Sequence, residues 1–216
     1  MKFYDSLGPN PRFVRIVMLE KNIEIAAEQI DIMGGENRQT GHLARNPMGQ
    51  MPCLELDSGE VVSEVTAIAE YLEEIHPTPA LIGTTPEERA EARMWTRRID
   101  LNIIEPMVGG FRYAEGIAMF KDRIRTIPEA ADGLKAVAQD NLAKLDASIA
   151  DREFVCGGRY TMADALLYAV LDFGGGVGQP LDPALVNLNS WFKRIHARPS
   201  SEASLHPVAA AGGMRA

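Results

Sequence analysis

The spacing of apolar residues alternates between short runs and a helical period within the first 80 residues. Short apolar runs are typical of strands, and apolar positions three or four apart indicate helices. Asp57, Ser58 and Gly59 have the composition of a hairpin turn. The predicted order is strand, helix, strand, loop, hairpin and helix, carried by KFY, PRFVRIVMLEKN, EQIDI, CLELD with EVV, and SEVTAIAEYLEEI.

Beyond the prolines and glycine of HPTPALIGTTPEE, which are typical of a linker, the pattern is helical. Pro106 is expected to kink or end the first helix, because proline has no amide hydrogen to donate. The four predicted helices are EERAEARMWTRRIDLNIIEPM, PEAADGLKAVAQDNLAKLDASIA, TMADALLYAVLDF and NLNSWFKRIHARP.

These elements predict two domains of different class. Residues 1–80 are expected to form an α/β domain, residues 81–86 a linker and residues 87–205 an all-helical domain. Residues 206–216 are small and polar, so this tail is expected to be flexible.

Composition and charge narrow the range of partners. The chain has 216 residues, and its 22 basic and 30 acidic residues give a formal net charge of -8. Because no block of lysine and arginine could neutralise a run of phosphates, nucleic acid is not an expected partner. No apolar run approaches the roughly 20 residues that span a bilayer, and MKFYDS lacks the features of a signal peptide. We therefore expect a cytoplasmic protein without a membrane partner.

Cysteine and histidine usage gives no sign of a metal site or of a disulfide framework. Cys53 and Cys156 lie far apart in sequence, and we interpret both as reduced, buried residues. The four histidines have no metal-ligand spacing. No metal and no permanently bound cofactor is expected.

The first junction between strand and helix has the composition of an anion site. Ser6, Gly8 and Asn10 come just ahead of a helix that Pro11 can start, because proline fits the first turn of a helix. Free amides and the positive end of the helix dipole would suit an anion there, including a thiolate. The same residues also fit an ordinary turn followed by a helix cap.

A second candidate site lies where Met51 and Pro52 open a predicted strand. Proline removes a ladder donor, so a proline at this place indicates either an edge strand or a cis peptide bond. In the cis case, the backbone groups of Met51 are free to pair with a peptide-like ligand.

These segments together resemble the glutathione transferase superfamily. NPMGQMP followed by SEVTAIAEYL is similar to the family's NPxGxVP and ES-x-AIxxYL, and TMADALLYAV is similar to its helical-domain motif. The resemblance extends from Lys2 to about Pro199. It implies a thioredoxin-like α/β domain of βαβαββα order followed by an all-α helical domain, a homodimer, and glutathione as co-substrate.

The resemblance also assigns residues to the glutathione site. Met51, before the cis residue Pro52, would pair through its backbone with the cysteinyl part. Gln50 and Arg38, with Asn37 as a further candidate, would face the glycyl end. Glu64 would receive the γ-glutamyl amino group, and charge-assisted hydrogen bonds of this kind are strong. The alternative for the charged residues is a solvated surface position.

Val65 departs from the family pattern, which has a serine directly after the glutamate. Ser63 and Thr66 do not replace that serine, because a shift of one place rotates a side chain by about 100° around a helix. Loss of one hydrogen bond to a charged group costs roughly 1.5 to 3 kcal/mol. We therefore expect glutathione to bind loosely, or the site to accept a related ligand.

The residue that activates the glutathione thiol is a second departure. Gly8 and Pro9 stand where serine-type classes carry their hydroxyl. Asn10 is the catalytic candidate, because its amide could donate to a thiolate and, with the helix amino terminus, lower the thiol pKa. Ser6 is the second candidate, whereas Tyr4 is interpreted as a core or subunit-contact residue.

The electrophile pocket is expected in the helical domain. Residues 104–120 combine an apolar wall with one cation and one phenol, and the alternative is helix packing around a kink at Pro106. The candidate lining residues are Met107, Phe111, Arg112 and Tyr113.

Three functions are consistent with the sequence. The first is a detoxifying transferase that conjugates the glutathione thiolate to small apolar electrophiles. The second is a glutathione-dependent disulfide or peroxide reductase, in which two glutathione molecules meet in the site. The third is a non-catalytic binding module that has kept the fold.

Overall fold

The computed structural model of the protein describes residues 1–211 and 215–216, which form two compact units. One unit consists of Met1–Leu81 and Pro199–Ala216, and the other of Ile82–Arg198. No helix of the described residues is long and apolar enough to cross a membrane.

A four-stranded sheet forms the centre of the first unit. The strands are β1 (Lys2–Asp5), β2 (Ala26–Gln29), β3 (Cys53–Glu55) and β4 (Val61–Ser63). Their order in the sheet is β2-β1-β3-β4, with β2 parallel to β1 and with β3 antiparallel to both β1 and β4. The helices between and after them are α1 (Pro9–Glu20), α2 (Thr40–Leu43) and α3 (Val65–Ile75), and a 3₁₀ turn spans Glu36–Arg38.

The apolar face of α1 explains why the segment PRFVRIV folds as a helix against the sheet. Its residues Phe13, Val14, Ile16 and Val17 recur at helical spacing and are each at most 1% exposed. The inward residues of the sheet and of α3 complete this core, namely Phe3, Leu54, Ile68, Ala69 and Leu72.

The second strand begins two residues earlier and ends three residues earlier than the sequence predicts. EQIDI predicts a strand over residues 28–32, whereas Ala26–Gln29 pairs with Lys2–Asp5. The strand ends there because the Asp31 carboxylate accepts the Gly34 amide hydrogen and starts a turn. β2 is an edge strand with mostly exposed side chains, so its apolar pattern is weak.

Helices make up the second unit, as predicted. Their bounds are α4 (Pro86–Ile99), α5 (Glu105–Tyr113), α6 (Ile117–Phe120), α7 (Ala131–Ser148), α8 (Met162–Gly176) and α9 (Val186–His196). α8 is buried along most of its length, which matches its nearly continuous apolar sequence.

A π-helical segment, Asp100–Ile104, connects α4 to α5. The amide of Glu105 donates to the carbonyl of Asp100, five residues earlier, just before Pro106. Pro106 therefore does not end the helix. The wider turn takes up the interruption that a proline without an amide hydrogen introduces.

Thr161 and Asp164 cap the amino end of α8. The two residues form a reciprocal capping box. The buried carboxylate of Asp164 also accepts hydrogen bonds from the Val155 amide and from the Trp191 indole, both at 2.8 Å. Burial raises the pKa of Asp164, and these hydrogen bonds oppose that rise.

The carboxyl-terminal segment corrects the predicted domain boundary. Residues 199–205, which the sequence assigns to the helical domain, pack with the first unit as part of α10 (Pro199–Ala203) and the turn after it. The buried Arg12 guanidinium of α1 donates to the Ser201 carbonyl at 2.9 Å and to the Ser204 hydroxyl at 3.2 Å. The sequence around Arg12 does not indicate that its partners lie near the carboxyl end of the chain.

The tail also contains more structure than its composition predicts. A short helix, α11, spans Pro207–Ala211, and the His206 amide donates to the Ala216 carbonyl. Residues 212–214, for which flexibility is likewise predicted, lie outside the described residues.

Candidate functional site

Strand register brings three separate sequence segments to one edge of the sheet. Tyr4 of β1 pairs with Cys53 of β3, and Cys53 pairs with Ser63 of β4. Because β3 is antiparallel to both neighbours, its beginning lies beside the ends of β1 and β4. The segments after β1, before β3 and after β4 therefore meet there, and each contains predicted site residues.

Met51 offers its backbone at the beginning of β3. The peptide bond between Met51 and Pro52 is cis, and both residues are buried. Among the described residues, the amide and carbonyl of Met51 have no hydrogen-bond partner. Backbone groups of buried residues are nearly always paired, so this donor and acceptor are available to a ligand.

Side chains from residues 37–46 form hydrogen bonds with the backbone carbonyls of the three residues before Met51. Asn37 donates to the Gly49 carbonyl at 2.6 Å. His42 Nε2 lies 3.2 Å from the Gln50 carbonyl, which also accepts from Asn46 Nδ2 at 2.9 Å. Arg38 Nη1 donates to the Met48 carbonyl at 3.1 Å. We call these four residues the carbonyl clamp, because they fix the backbone that leads into Met51.

The start of α3 presents free amides beside a strained residue. Glu64 precedes the helix with φ 70° and ψ 117°, a conformation that non-glycine residues rarely adopt. The first backbone bond of the helix runs from the Ile68 amide to the Glu64 carbonyl, so the amides of Val65, Thr66 and Ala67 lack helical partners. The first turn contains no acidic residue, which favours an anion.

The start of α1 offers fewer donors than the start of α3. Pro9 and Pro11 have no amide hydrogen, and the first backbone bond runs from Arg12 to Gly8. Asn10 is therefore the only residue among the first three of α1 with a backbone donor. Its side-chain amide has no hydrogen-bond partner in the described part of the chain.

Ser6 lies differently from Asn10. Its side chain is 1% exposed, and its hydroxyl donates to the Ile30 carbonyl at 2.8 Å. This bond ties β1 to the segment after β2 and leaves the hydroxyl proton committed to a structural contact. Asn10 is therefore the better placed of the two catalytic candidates.

Both halves of the chain match families of known proteins. Residues 8–75 match the model described as "Glutathione S-transferase, N-terminal domain", and residues 119–199 match "Glutathione S-transferase, C-terminal domain". The chain is 31% identical to glutathione S-transferase 2 of Saccharomyces cerevisiae, over 93% of this chain and 87% of that protein. The chain belongs to the glutathione S-transferase superfamily.

Solved structures of the superfamily have the same fold. Gtt2 from Saccharomyces cerevisiae superposes with a TM-score of 0.89 at 31% identity, covering 95% of this chain and 100% of that one. A glutathione S-transferase domain-containing protein of Marinobacter aquaeolei VT8 gives 0.87 at 36% identity, covering 93% and 99%. These similarities confirm the predicted thioredoxin-like domain followed by a helical domain.

Neither cysteine has the properties of a reactive nucleophile. Cys53 and Cys156 are both free and buried, as predicted. Burial raises the pKa of each thiol to about 11, so the reactive thiolate is scarce near neutral pH.

The four candidate residues for the electrophile pocket lie on α5 in the second unit. Met107 is buried, and its carbonyl accepts from Gln179. Phe111 packs edge-on against Phe120 and Phe173, with ring centres 6.1 and 5.1 Å apart. The Arg112 guanidinium carbon lies 5.7 Å from the centre of the Phe120 ring, and Tyr113 is half-buried. Met107 thus has packing partners within the helical unit, whereas Arg112 and Tyr113 are partly accessible.

Sequence reasoning missed two members of the carbonyl clamp, His42 and Asn46. Both are buried, at 2% and 3% exposure, although they lie in a polar segment between predicted elements. The only available signal was their spacing of four residues, which places two polar side chains on one face of a helical turn.

Proposed function

We propose that this superfamily member is a glutathione transferase that conjugates the thiolate of glutathione to small apolar electrophiles. The observation that carries the proposal is the unpartnered backbone donor and acceptor of the buried residue Met51, at the same sheet edge as the free amides of α3. A peptide with a carboxylate and an ammonium group at one end complements this arrangement.

Glutathione would bind with its parts distributed over the three segments. The cysteinyl amide and carbonyl pair with Met51, next to the cis residue Pro52. The γ-glutamyl carboxylate accepts from the first amides of α3, beginning with Val65, and the Glu64 carboxylate pairs with the ammonium group. Arg38 and Gln50 face the glycyl carboxylate. These assignments use charge complementarity and the free groups described above.

Activation of the thiol would rely on donors rather than on a protein base. Asn10 contributes a side-chain amide and a backbone amide at the amino end of α1, which together stabilise a thiolate and lower the thiol pKa. The thiol proton passes to solvent. The sulfur lone pair then forms a carbon–sulfur bond, and the leaving group departs with the electron pair of the bond that breaks.

Glutathione calorimetry on the parent protein and on Val65→Ser tests the binding site. Serine adds a hydroxyl at the first turn of α3, so we expect affinity to rise about tenfold. Val65→Ala is the matched control, because it removes the valine side chain without adding a hydrogen-bonding group. Equal affinities for the serine and alanine variants would contradict the placement of the carboxylate at α3.

Turnover tests the reaction itself. We expect the parent protein to conjugate glutathione to 1-chloro-2,4-dinitrobenzene, with Asn10→Ala slower in kcat at low pH, where thiolate formation limits the rate. Reduction of a glutathione mixed disulfide without conjugation would favour the reductase. Glutathione binding without either reaction would favour a non-catalytic module.

A further inference from the structure

Arg112 of α5 is a cation without a counter-charge in the part of the chain that the structure describes. It forms no ion pair there, and its guanidinium N–H groups donate to no described acceptor. The side chain is partly buried, so water replaces those partners only in part. A guanidinium presents five donors in a planar fork, which matches the two oxygens of a carboxylate. Arg112 can therefore bind an acidic group of a ligand.

The Arg112 charge lies at the border of an aromatic surface. Its guanidinium carbon is 5.7 Å from the centre of the Phe120 ring. Phe120 packs edge-on against Phe111, which in turn packs edge-on against Phe173. We call these three phenylalanines the aromatic cluster. A ligand that combines an aromatic ring with an acidic substituent complements this arrangement, because its ring meets an apolar surface and its charge meets the guanidinium.

Close packing fixes α5 against the neighbouring helices of its unit. A Cβ atom at Gly110 would lie 2.6 Å from Lys135 Cγ of α7, and one at Gly174 of α8 would collide with the Met107 side chain. The Gln179 side chain also donates to the Met107 carbonyl at 3.0 Å. Arg112 is therefore carried by a rigid element, and binding groups on rigid elements are positioned more accurately than those on loops.

The segment that begins with Arg112 is basic, although the chain as a whole is acidic. Residues 112–125 contain four basic and two acidic side chains, whereas the whole chain has 22 basic and 30 acidic residues. One of the two acidic residues, Glu115, pairs with Lys135 at 2.5 Å. The other, Asp122, is exposed. The surroundings of Arg112 therefore favour an anion over a neutral group.

We propose that Arg112 determines the substrate class of the transferase by binding an acidic group of the electrophile. This inference rests on the proposed function and specifies the electrophile that the same site accepts. The preferred electrophile is an aromatic compound with a carboxylate. Its ring lies against the aromatic cluster, and its carboxylate accepts hydrogen bonds from the Arg112 guanidinium. The carbon that reacts lies at the end of the ring opposite to the carboxylate.

Turnover of two matched aryl chlorides tests the proposal. In 4-chloro-3,5-dinitrobenzoate, the glutathione sulfur forms a bond with the ring carbon, and chloride leaves with the electron pair of the broken bond. 4-Chloro-3,5-dinitrobenzamide undergoes the same displacement but has no charge. For each compound, kcat/KM is divided by the rate constant of the uncatalysed reaction, which corrects for the difference in reactivity. The specificity ratio is the corrected value for the benzoate divided by that for the benzamide.

Arg112→Gln should lower the specificity ratio at least about tenfold, because the charge-assisted contact with the carboxylate is lost. Arg112→Lys retains the charge without the planar fork and should give an intermediate ratio. Arg125→Gln is the matched control, since it removes the same charge from an exposed position of the same segment. Its specificity ratio should equal that of the parent.

Calorimetry with two product analogues provides a second arm that needs no turnover. S-(4-carboxybenzyl)glutathione should bind the parent at least about tenfold more tightly than S-(4-carbamoylbenzyl)glutathione. A rise in ionic strength from about 0.05 M to about 0.5 M should reduce this difference, because partly exposed charges are screened. This arm uses only the parent protein, so it remains decisive if the Arg112 variants do not fold.

The two arms distinguish failure of the inference from failure of the proposed function. Equal affinity for the two analogues, or an equal specificity ratio in the parent and Arg112→Gln, would overturn the role of Arg112 even if both chlorides are conjugated. Tighter binding of the acidic analogue without turnover of either chloride would support the role of Arg112 and overturn the transferase. Absence of binding by both analogues would overturn both proposals.

Discussion

Glu64 combines a proposed binding role with a backbone conformation that has an energetic cost. At φ 70° and ψ 117°, a side chain with a Cβ atom is strained by about 1–3 kcal/mol, and such residues cluster at functional sites. The exposed carboxylate has no partner among the described residues, so no contact within the first unit accounts for the strain.

We expect Glu64→Gly to separate these two properties. Glycine adopts this conformation freely, so the free energy of unfolding should rise by about 1 kcal/mol in urea titrations. Glutathione binding should weaken about tenfold, because the partner of the ammonium group is lost. Glu64→Gln is the control, since it removes the charge but retains the strain. A glycine variant no more stable than the glutamine variant would argue against strain at this residue.

At the scale of single residues, the sequence indicated the features of the proposed site that depend on local chemistry. Pro52 indicated a special peptide bond, and Glu64 indicated a charge at a helix start. The hydrogen bond from Ser6 to the Ile30 carbonyl was not predictable, because it depends on the register between β1 and β2. The free backbone of Met51 likewise became visible only with the neighbouring strands in place.

The carbonyl clamp makes α2 and the loop around it a positioning element. His42 and Asn46 hold one carbonyl from two sides, and that carbonyl belongs to the peptide unit that contains the Met51 amide. The orientation of the Met51 donor therefore depends on two side chains, His42 and Asn46, that are not among the residues assigned to glutathione.

His42→Ala should raise KM for glutathione about tenfold while kcat changes little, because a mobile Met51 amide weakens binding rather than chemistry. Steady-state kinetics with varied glutathione provides the measurement. His42→Gln should restore part of the affinity through its amide donor, and the exposed His76→Ala should have no effect. A loss confined to kcat would contradict the positioning role.

The cap of α8 supports the helical unit through one carboxylate. Asp164→Ala leaves the Val155 amide and the Trp191 indole without partners in the core, and each such loss costs roughly 1–3 kcal/mol. We expect the free energy of unfolding to fall by about 3 kcal/mol or more, measured by urea titration with tryptophan fluorescence. Asp151→Ala, at an exposed aspartate, is the control and should be close to neutral. An equal decrease in the free energy of unfolding of both variants would contradict a special role for the Asp164 cap.

At the scale of elements, sequence predicted their type and order better than their ends. The capping box of α8 was predictable because it uses residues three apart. The predicted position of β2 was wrong by two to three residues, because an exposed edge strand has a weak apolar pattern. The π-helical segment was not predicted, because proline indicates an interruption without indicating how the neighbouring turns accommodate it.

At the scale of the whole molecule, the division into an α/β part and a helical part was predictable from the change of apolar period. The return of residues 199–211 to the first unit was not, because it rests on contacts between distant positions, such as Arg12 and Ser204, which are 192 residues apart. Their composition, which is small and polar, does not indicate which residues of the first unit they contact.

His206 should make the stability of the first unit depend on pH. Burial and the nearby Arg15 lower its pKa, although Asp5 opposes them. Its Nδ1 accepts the Val208 amide, and its Nε2 lies 2.7 Å from Gln29 Oε1. A histidine whose pKa is lower in the folded state than in the unfolded state destabilises the fold as pH falls below the unfolded value of about 6.5.

Urea titrations between about pH 7.5 and pH 5.5 measure this effect. The stability of the parent should decrease across that range, and His206→Gln should decrease less. His76→Ala is the control, because His76 is exposed and its removal should leave the decrease unchanged. Identical pH profiles for the parent and His206→Gln would assign the decrease to other groups.

The partners of Arg12 have a consequence for the order of events during synthesis on the ribosome. α1 is the first helix to emerge, but the groups that accept hydrogen bonds from its buried guanidinium include the carbonyl of Ser201 and the hydroxyl of Ser204. Until those residues have been translated, the first unit holds an arginine whose interior site is incomplete. The helical unit, whose residues are contiguous, has all of its parts earlier. We therefore expect the helical unit to finish folding before the first unit, although the first unit contains the amino-terminal residues.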